Sequence, residues 1–181
     1  MSRVNKMIGL LHGASDNVLM KVFGSQCCHF YGTSAWMLND RNISQFHTMY
    51  NRCVRRILKL PFRTHTRYLP LLAERANSRE EIVARFVRLL FSALQSDNLL
   101  IRHVSNRALA TTNSIIGANM DYIKTTYRIS FSQISTFDFR KQHLQTITQE
   151  DLCNIQAIKD IKNFEIDFFE INEFFSQLCI N

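Results

Sequence analysis

Cys27, Cys28 and His29 stand side by side in the stretch CCHFYG, and thiols beside an imidazole are the first place to look for metal or nucleophilic chemistry. The spacing does not support it. A structural zinc site takes its ligands as spaced pairs, and the chain has neither a C-x-x-C nor a closely spaced histidine pair. On a helix Cys27 and Cys28 would point about 100° apart. The other histidines, His12, His47, His65, His103 and His143, form no cluster. A phosphate-cradling glycine loop, a dinucleotide fingerprint, a nucleophile elbow and H-E-x-x-H are all missing. The acidic pairs Glu80–Glu81 and Glu150–Asp151 fall at helix starts, where the helix dipole accounts for them. The residues therefore predict no catalytic group, no metal site and no cofactor.

The residue types that do concentrate are cations. In NRCVRRILKLPFRTHTRYLPLL, residues 51–72, lie Arg52, Arg55, Arg56, Lys59, Arg63 and Arg67, with no acid between Asp40 and Glu74. At 100° per residue, Arg52, Arg55, Arg56 and Lys59 fall within about 100° of one another, opposite Phe46, Tyr50, Cys53, Val54 and Ile57. Such a helix packs on one side and offers unneutralised charge on the other. Like charges side by side repel, which water tolerates and a row of phosphates favours. No base-reading device accompanies the cluster, so backbone contact independent of sequence is the chemistry it predicts.

These residues need a helical frame, and the periodicity supplies one. Ser15 and Asp16 can cap a helix over Asn17–Met37. A second runs from Asn39 or Asp40 to Leu60, stopped by Pro61. A short helix covers Tyr68–Arg75. Ser78 and Glu81 form a capping box that opens a helix to Gln95, with Ile82, Phe86, Leu89, Leu90 and Leu94 inward and Val83, Val87 and Phe91 widening the apolar face. Further helices are expected at Leu99–Leu109 and at Asn113–Tyr127, the latter interrupted by Gly117. Residues 128–147 read as a loop or a short extended piece. Thr148 and Asp151 cap a helix to Asn163, and a last helix spans Glu170–Cys179. Trp36 and the phenylalanines are assigned to the core, where truncating Trp36 to alanine would cost about 3–5 kcal/mol. The fold class is all-α: an irregular, thumb-like bundle of about six to eight helices.

Bulk properties agree with a packed helical protein. The 181 residues are 46% hydrophobic, with only two prolines and five glycines. The net charge of +7 is uneven. Residues 1–110 hold 16 Lys+Arg against 6 Asp+Glu, a balance of +10, whereas residues 111–181 hold 6 against 9, a balance of −3. A basic region 1–110 followed by an acidic region 111–181 packed on or beside it is the expected organisation, with the polyanion footprint in the first. Five cysteines in no framework indicate free, buried thiols and a reducing, intracellular setting, nuclear or cytoplasmic. The apolar run Met7–Leu11 is broken by His12 and Gly13, so no secretory signal is expected, and no apolar run is long enough to span a membrane.

With these pieces in view, the chain resembles the C-terminal, post-palm region of LINE-type, jockey-like non-LTR retrotransposon reverse transcriptases. KVFGSQCCHFYGTSAWML is similar to a family helix ending in Tyr-Gly-x-x-x-Trp, here Tyr31, Gly32 and Trp36. FHTMYNRCVRRILKLPFRTHTRYLPLL resembles the next helix and its Arg-Arg-Ile-Leu-x-Leu-Pro exit, here Arg55–Pro61, followed by the turn of Thr64, His65 and Thr66. NSIIGANMDYI, with Gly117 and Asn119, and EINEFFSQLC resemble two further family segments in the family order.

The resemblance implies a thumb-like module that helps hold template RNA or an RNA–DNA hybrid. The palm's paired aspartates have no counterpart in the chain. Two-metal polymerisation depends on such carboxylates, so no polymerase activity is expected. The implied function is a catalytically inactive portion of a reverse transcriptase with residual nonspecific affinity for RNA or RNA–DNA hybrid, carried by Arg52, Arg55, Arg56, Lys59, Arg63 and Arg67. A different class fits the same sequence: a helical protein-interaction module, or a remnant retained by its host, docking through the acidic, Phe-rich C-terminus. Apolar surface separated from a palm would then drive self-association.

Overall fold

The computed structural model describes residues 2–28, 30–39, 41–141 and 147–160. Among these, all regular structure is helical and no strand forms. The fold is an irregular all-α bundle, as its periodicity predicts. Its elements are α1 (Ser2–Leu10), α2 (Asp16–Val22), α3 (Arg41–Ile57), α4 (Leu69–Leu72), α5 (Ser78–Leu94), α6 (Leu99–Ala110), α7 (Ile115–Tyr127), α8 (Phe131–Ile134) and α9 (149–160). None is long and apolar enough to cross a membrane.

Two apolar clusters organise the bundle, and α3 belongs to both. Its first half gives Ile43 to a core built from Leu38, the α5 residues Ile82, Val83, Phe86, Val87 and Leu90, the α7 residues Met120 and Ile123, and then Ile134 and Phe139. Its second half gives Tyr50, Cys53, Val54 and Ile57 to a core shared with α1, α2 and α4. Phe46 and Phe30 pack against both clusters, edge to face, with ring centroids 5.7 Å apart. The predicted stripe on α3 is the buried one. Asn51 joins it, because Asn51 Nδ2 donates to His47 Nε2 at 3.0 Å while His47 Nδ1 meets Ser78 Oγ at 2.9 Å. Burial, and secondarily the charge of Arg79, holds the His47 pKa below its ordinary value.

Several local expectations are corrected. The helix expected over Asn17–Met37 ends after α2: a wide turn at Phe23–Cys27 unwinds it, and the chain turns at Gly32, whose φ of 72° suits glycine. Ser78 is not the cap of α5. Asn77 takes that role by accepting from Arg79 N at 3.0 Å, and Glu81 instead pairs with Arg85 and Arg140, each Nε lying 2.7 Å from a carboxylate oxygen. Leu89 faces outward and is 51% exposed. Gly117 does not interrupt α7. It sits in the first turn, where Ser114 accepts from its N–H at 2.9 Å and where a Cβ would collide with the Thr111 carbonyl oxygen. The stretch after Tyr127 forms α8, begun by Ser130 N donating to Gln133 Oε1 at 2.9 Å. The helix expected at Glu170–Cys179, and the end of the one expected to reach Asn163, lie outside the described residues.

Trp36 is another correction. It is 36% exposed, and its contact is the edge of Phe46 at 5.7 Å rather than a closed core. The fixed point beside it is Asn119, 1% exposed on α7. Asn119 Oδ1 accepts from Leu38 N and Asn119 Nδ2 donates to the Trp36 carbonyl, both at 2.7 Å. One amide thus pins the irregular 30–39 segment to α7 through two backbone groups that have no other partner among the described residues. Asn119→Ala is expected to cost about 2–4 kcal/mol in urea denaturation, because it orphans both groups, and Trp36→Ala is expected to cost less. The reverse ranking would contradict this account.

Candidate nucleic-acid interface

The predicted basic residues divide into two sets. The division begins where α3 stops. Leu60 N donates to the Arg55 carbonyl at 2.8 Å and Lys59 N to that of Arg56 at 3.3 Å, a paired closure that needs a left-handed residue at Lys59, with φ of 52°. Lys59 therefore leaves the helical face and stands on the turn beyond it. Pro61 follows, and Thr64 N bonds back to its carbonyl at 3.0 Å, which leaves Phe62 and Arg63 as the two corner residues of a tight turn.

Arg55 fastens that turn to the helix. Its Nε and Nη2 both donate to the Thr64 carbonyl, at 3.0 and 2.8 Å, and the guanidinium lies 6.0 Å from the Phe62 ring centroid. Burial and the neighbouring charge of Arg52 lower its pKa from the ordinary arginine value, without threatening the positive charge. Arg55 is thus a brace with part of its surface in water.

Arg67 is the second brace. It pairs with Asp151, whose side chain is 1% exposed. The same carboxylate accepts from Tyr68 Oη at 3.2 Å and, through Oδ2, from Thr148 N and Oγ1 at 3.0 and 2.9 Å, while Asp151 N donates to Thr148 Oγ1 at 3.2 Å. This is the capping box expected for α9, with a further role: it seats α9 on the short 3₁₀ turn Thr66–Tyr68 that carries Arg67 and Tyr68. Asn154 adds a bond to Tyr68 Oη at 3.4 Å, and Ile155 is buried alongside. The acid that meets the basic stretch comes from the other end of the chain, where no local pattern in the sequence points to it.

Arg52, Arg56, Lys59 and Arg63 remain. All are exposed, and among the described residues none has a carboxylate partner. Arg52 and Arg56 are neighbours one turn apart on α3, and Lys59 and Arg63 continue the charge over its C-terminal end. The negative end of the helix dipole lies there and offsets part of their mutual repulsion. An arrangement of this kind offers exposed positive charge to an anion.

The thiols have no comparable arrangement. Cys28 and Cys53 are buried, Cys27 is half-buried and Cys153 is exposed, which corrects the expectation of uniformly buried thiols; Cys179 lies outside the described residues. Burial, and next the neighbouring Cys53, push the Cys28 thiol up to about 12, so it is protonated and a poor nucleophile at neutral pH. Among the described residues no three His, Cys, Asp or Glu side chains gather as a metal site.

Asp151 gives a pH prediction. The Thr148 backbone N–H chiefly, then the Thr148 hydroxyl, Tyr68 and Arg67, lower its pKa against the opposing effect of burial. A carboxylate depressed in the folded state stabilises above the unfolded value and loses that contribution as pH falls through and below it. Melting between about pH 6 and about pH 2 is expected to show a steeper loss for the parent chain than for Asp151→Asn, whose melting temperature starts lower. Parallel curves would show that Asp151 does not hold α9.

Compared with known proteins, the chain matches no family model, no curated protein and no solved structure.

Proposed function

We propose that this chain is a catalytically inactive, thumb-like portion of a LINE-type reverse transcriptase, and that its remaining capacity is sequence-independent contact with the backbone of RNA or an RNA–DNA hybrid. The observation that carries the proposal is the set of four exposed cations, Arg52, Arg56, Lys59 and Arg63, on the α3 end and the turn after it, with no carboxylate set against them among the described residues. Two of the segments that the resemblance quotes meet in the fold. The Tyr31–Gly32–Trp36 segment and the Gly117–Asn119 segment, 81 residues apart at Leu38 and Asn119, meet through the Asn119 amide. Of the residues that the resemblance quotes, Asn119 is the one with a structural role in this contact, since its partners at Leu38 and Trp36 are backbone groups. Polymerisation is not part of the proposal, since the resemblance begins after the palm and the sequence has no counterpart of the palm's metal-binding aspartates.

The four cations predict the salt dependence. Each phosphate neutralised releases counterions, so four contacts give a log–log slope of roughly −3 to −4 between about 50 and 200 mM salt. Fluorescence anisotropy with single-stranded RNA, duplex DNA and RNA–DNA hybrid measures it. The variant with Arg52, Arg56, Lys59 and Arg63 all changed to Gln is expected to lose most of the slope while keeping its helical circular dichroism. A folded parent chain that binds none of the three at the lower salt would rule the proposal out.

A second function has its own observation. On α6, Leu100, Ile101 and Val104 are 69%, 46% and 55% exposed and lie within about 100° of one another on the helix, an apolar face left open among the described residues. Contiguous apolar surface of this kind marks a protein contact. Under this reading the chain is a protein-interaction module that self-associates. Sedimentation velocity over a concentration series is expected to show oligomers that the double change Leu100→Glu and Val104→Glu disperses; a parent chain monomeric at every concentration would exclude it.

A further inference from the structure

Phe62 occupies the one position in the basic stretch where an apolar ring is turned out to water. It is 74% exposed, the most exposed phenylalanine among the described residues, although its type assigns it to a core. The exposure is built in. Pro61 and Thr64 close the tight turn through the bond from Thr64 N to the Pro61 carbonyl, and Phe62 and Arg63 are its corners. The Arg55 guanidinium, held by two bonds to the Thr64 carbonyl, lies 6.0 Å from the ring centroid and supports it from the helix side. An aromatic ring is thus presented on a braced turn, with Lys59 and Arg63 on either side in the chain.

We propose that Phe62 is a stacking platform for an unpaired base, and that the interface consequently prefers single-stranded nucleic acid to duplex. This rests on the phosphate-binding role proposed above and adds the element that role lacks. Phosphate contact alone favours the denser charge of a duplex, so a preference for single strands needs a contact that only an unpaired base can make. A base in a duplex has both faces covered by its neighbours, whereas an unpaired base offers one. Ring and guanidinium both stack on such a face, and any of the bases satisfies them. The cations would take the flanking phosphates while Phe62 takes the base between them. Charge complementarity identifies the occupant: an apolar ligand without anionic groups would leave the four cations unused, and an acidic peptide has no flat face to match the ring.

The test compares the whole chain with Phe62→Ala and Phe62→Trp, using a single-stranded oligoribonucleotide, a single-stranded oligodeoxynucleotide and a duplex of equal length. Loss of one stacked base is worth roughly ten-fold in affinity. Phe62→Ala is expected to bind both single strands about ten-fold more weakly, with duplex affinity, salt slope and melting temperature unchanged. Phe62→Trp is expected to keep the single-strand affinity and to add indole fluorescence that single strands quench and duplex does not. Equal binding of single strands by the parent and Phe62→Ala, with no quenching in Phe62→Trp, would overturn the platform while leaving the phosphate contacts standing. Failure of the parent chain to show salt-dependent binding would remove the foundation instead, so the two failures are told apart by the parent's salt slope alone.

Discussion

The placement of almost everything else depends on burying one face of α3. This helix runs 17 residues, about 25 Å. Its first half completes the core made with α5 and α7, and its second half completes the core made with α1, α2 and α4. The joint between them is aromatic, with Phe30, Phe46 and Tyr50 in mutual contact at 5.7–6.5 Å between ring centroids. A helix seated on both sides of such a joint has little freedom to rotate. Once its apolar stripe is fixed, so is the direction in which Arg52 and Arg56 point. The same constraint sets where the chain leaves the helix, at the left-handed Lys59, and hence where the turn carrying Phe62 and Arg63 stands.

Electrostatics then divides the basic residues by what lies within reach. Arg55 finds a backbone carbonyl at the far side of the turn and becomes a brace. Arg67 finds Asp151 and joins the first turn of α9 to the stretch following α3. Both keep their charge, but each has its strongest donors committed to the fold. The other four have no carboxylate partner among the described residues. Their repulsion is softened by the carbonyl end of α3, a position where cations are stabilised. Structure and interface are therefore interleaved within a few residues, and removing charges wholesale would confuse the two roles.

Much of the fold was legible because it is periodic. The buried stripe of α3, that of α5 apart from Leu89, the extent of α6 and the Thr148–Asp151 cap are local patterns that packing did not override. What escaped was set by contacts distant in sequence. Glu81 carries a capping-box spacing, yet Arg85 and Arg140 outbid the backbone for it, because a charge-assisted pair is stronger than one more bond to an N–H. Gly117 looks like a breaker but is the clearance for the Thr111 carbonyl. Of the candidate interface, the cluster was visible as composition. That Arg55 and Arg67 serve the fold was not, since the Thr64 carbonyl and Asp151 are partners that only the folded chain brings to them. Phe62 was hidden by its type, because nothing in the sequence separates a phenylalanine on the corner of a turn from one in a core.

A series of single substitutions separates the cations that serve the fold from those that face solvent. Each of Arg52, Arg55, Arg56, Lys59, Arg63 and Arg67 is changed to Gln in turn, and the salt slope for a single-stranded RNA is measured beside the melting temperature. The account predicts that Arg52, Arg56, Lys59 and Arg63 each reduce the magnitude of the slope by about 0.7 with little change in melting, whereas Arg55 and Arg67 lower the melting temperature and leave the slope nearly intact. Six variants with the same loss of slope and no loss of stability would contradict it, and would return all six residues to one undifferentiated charged surface.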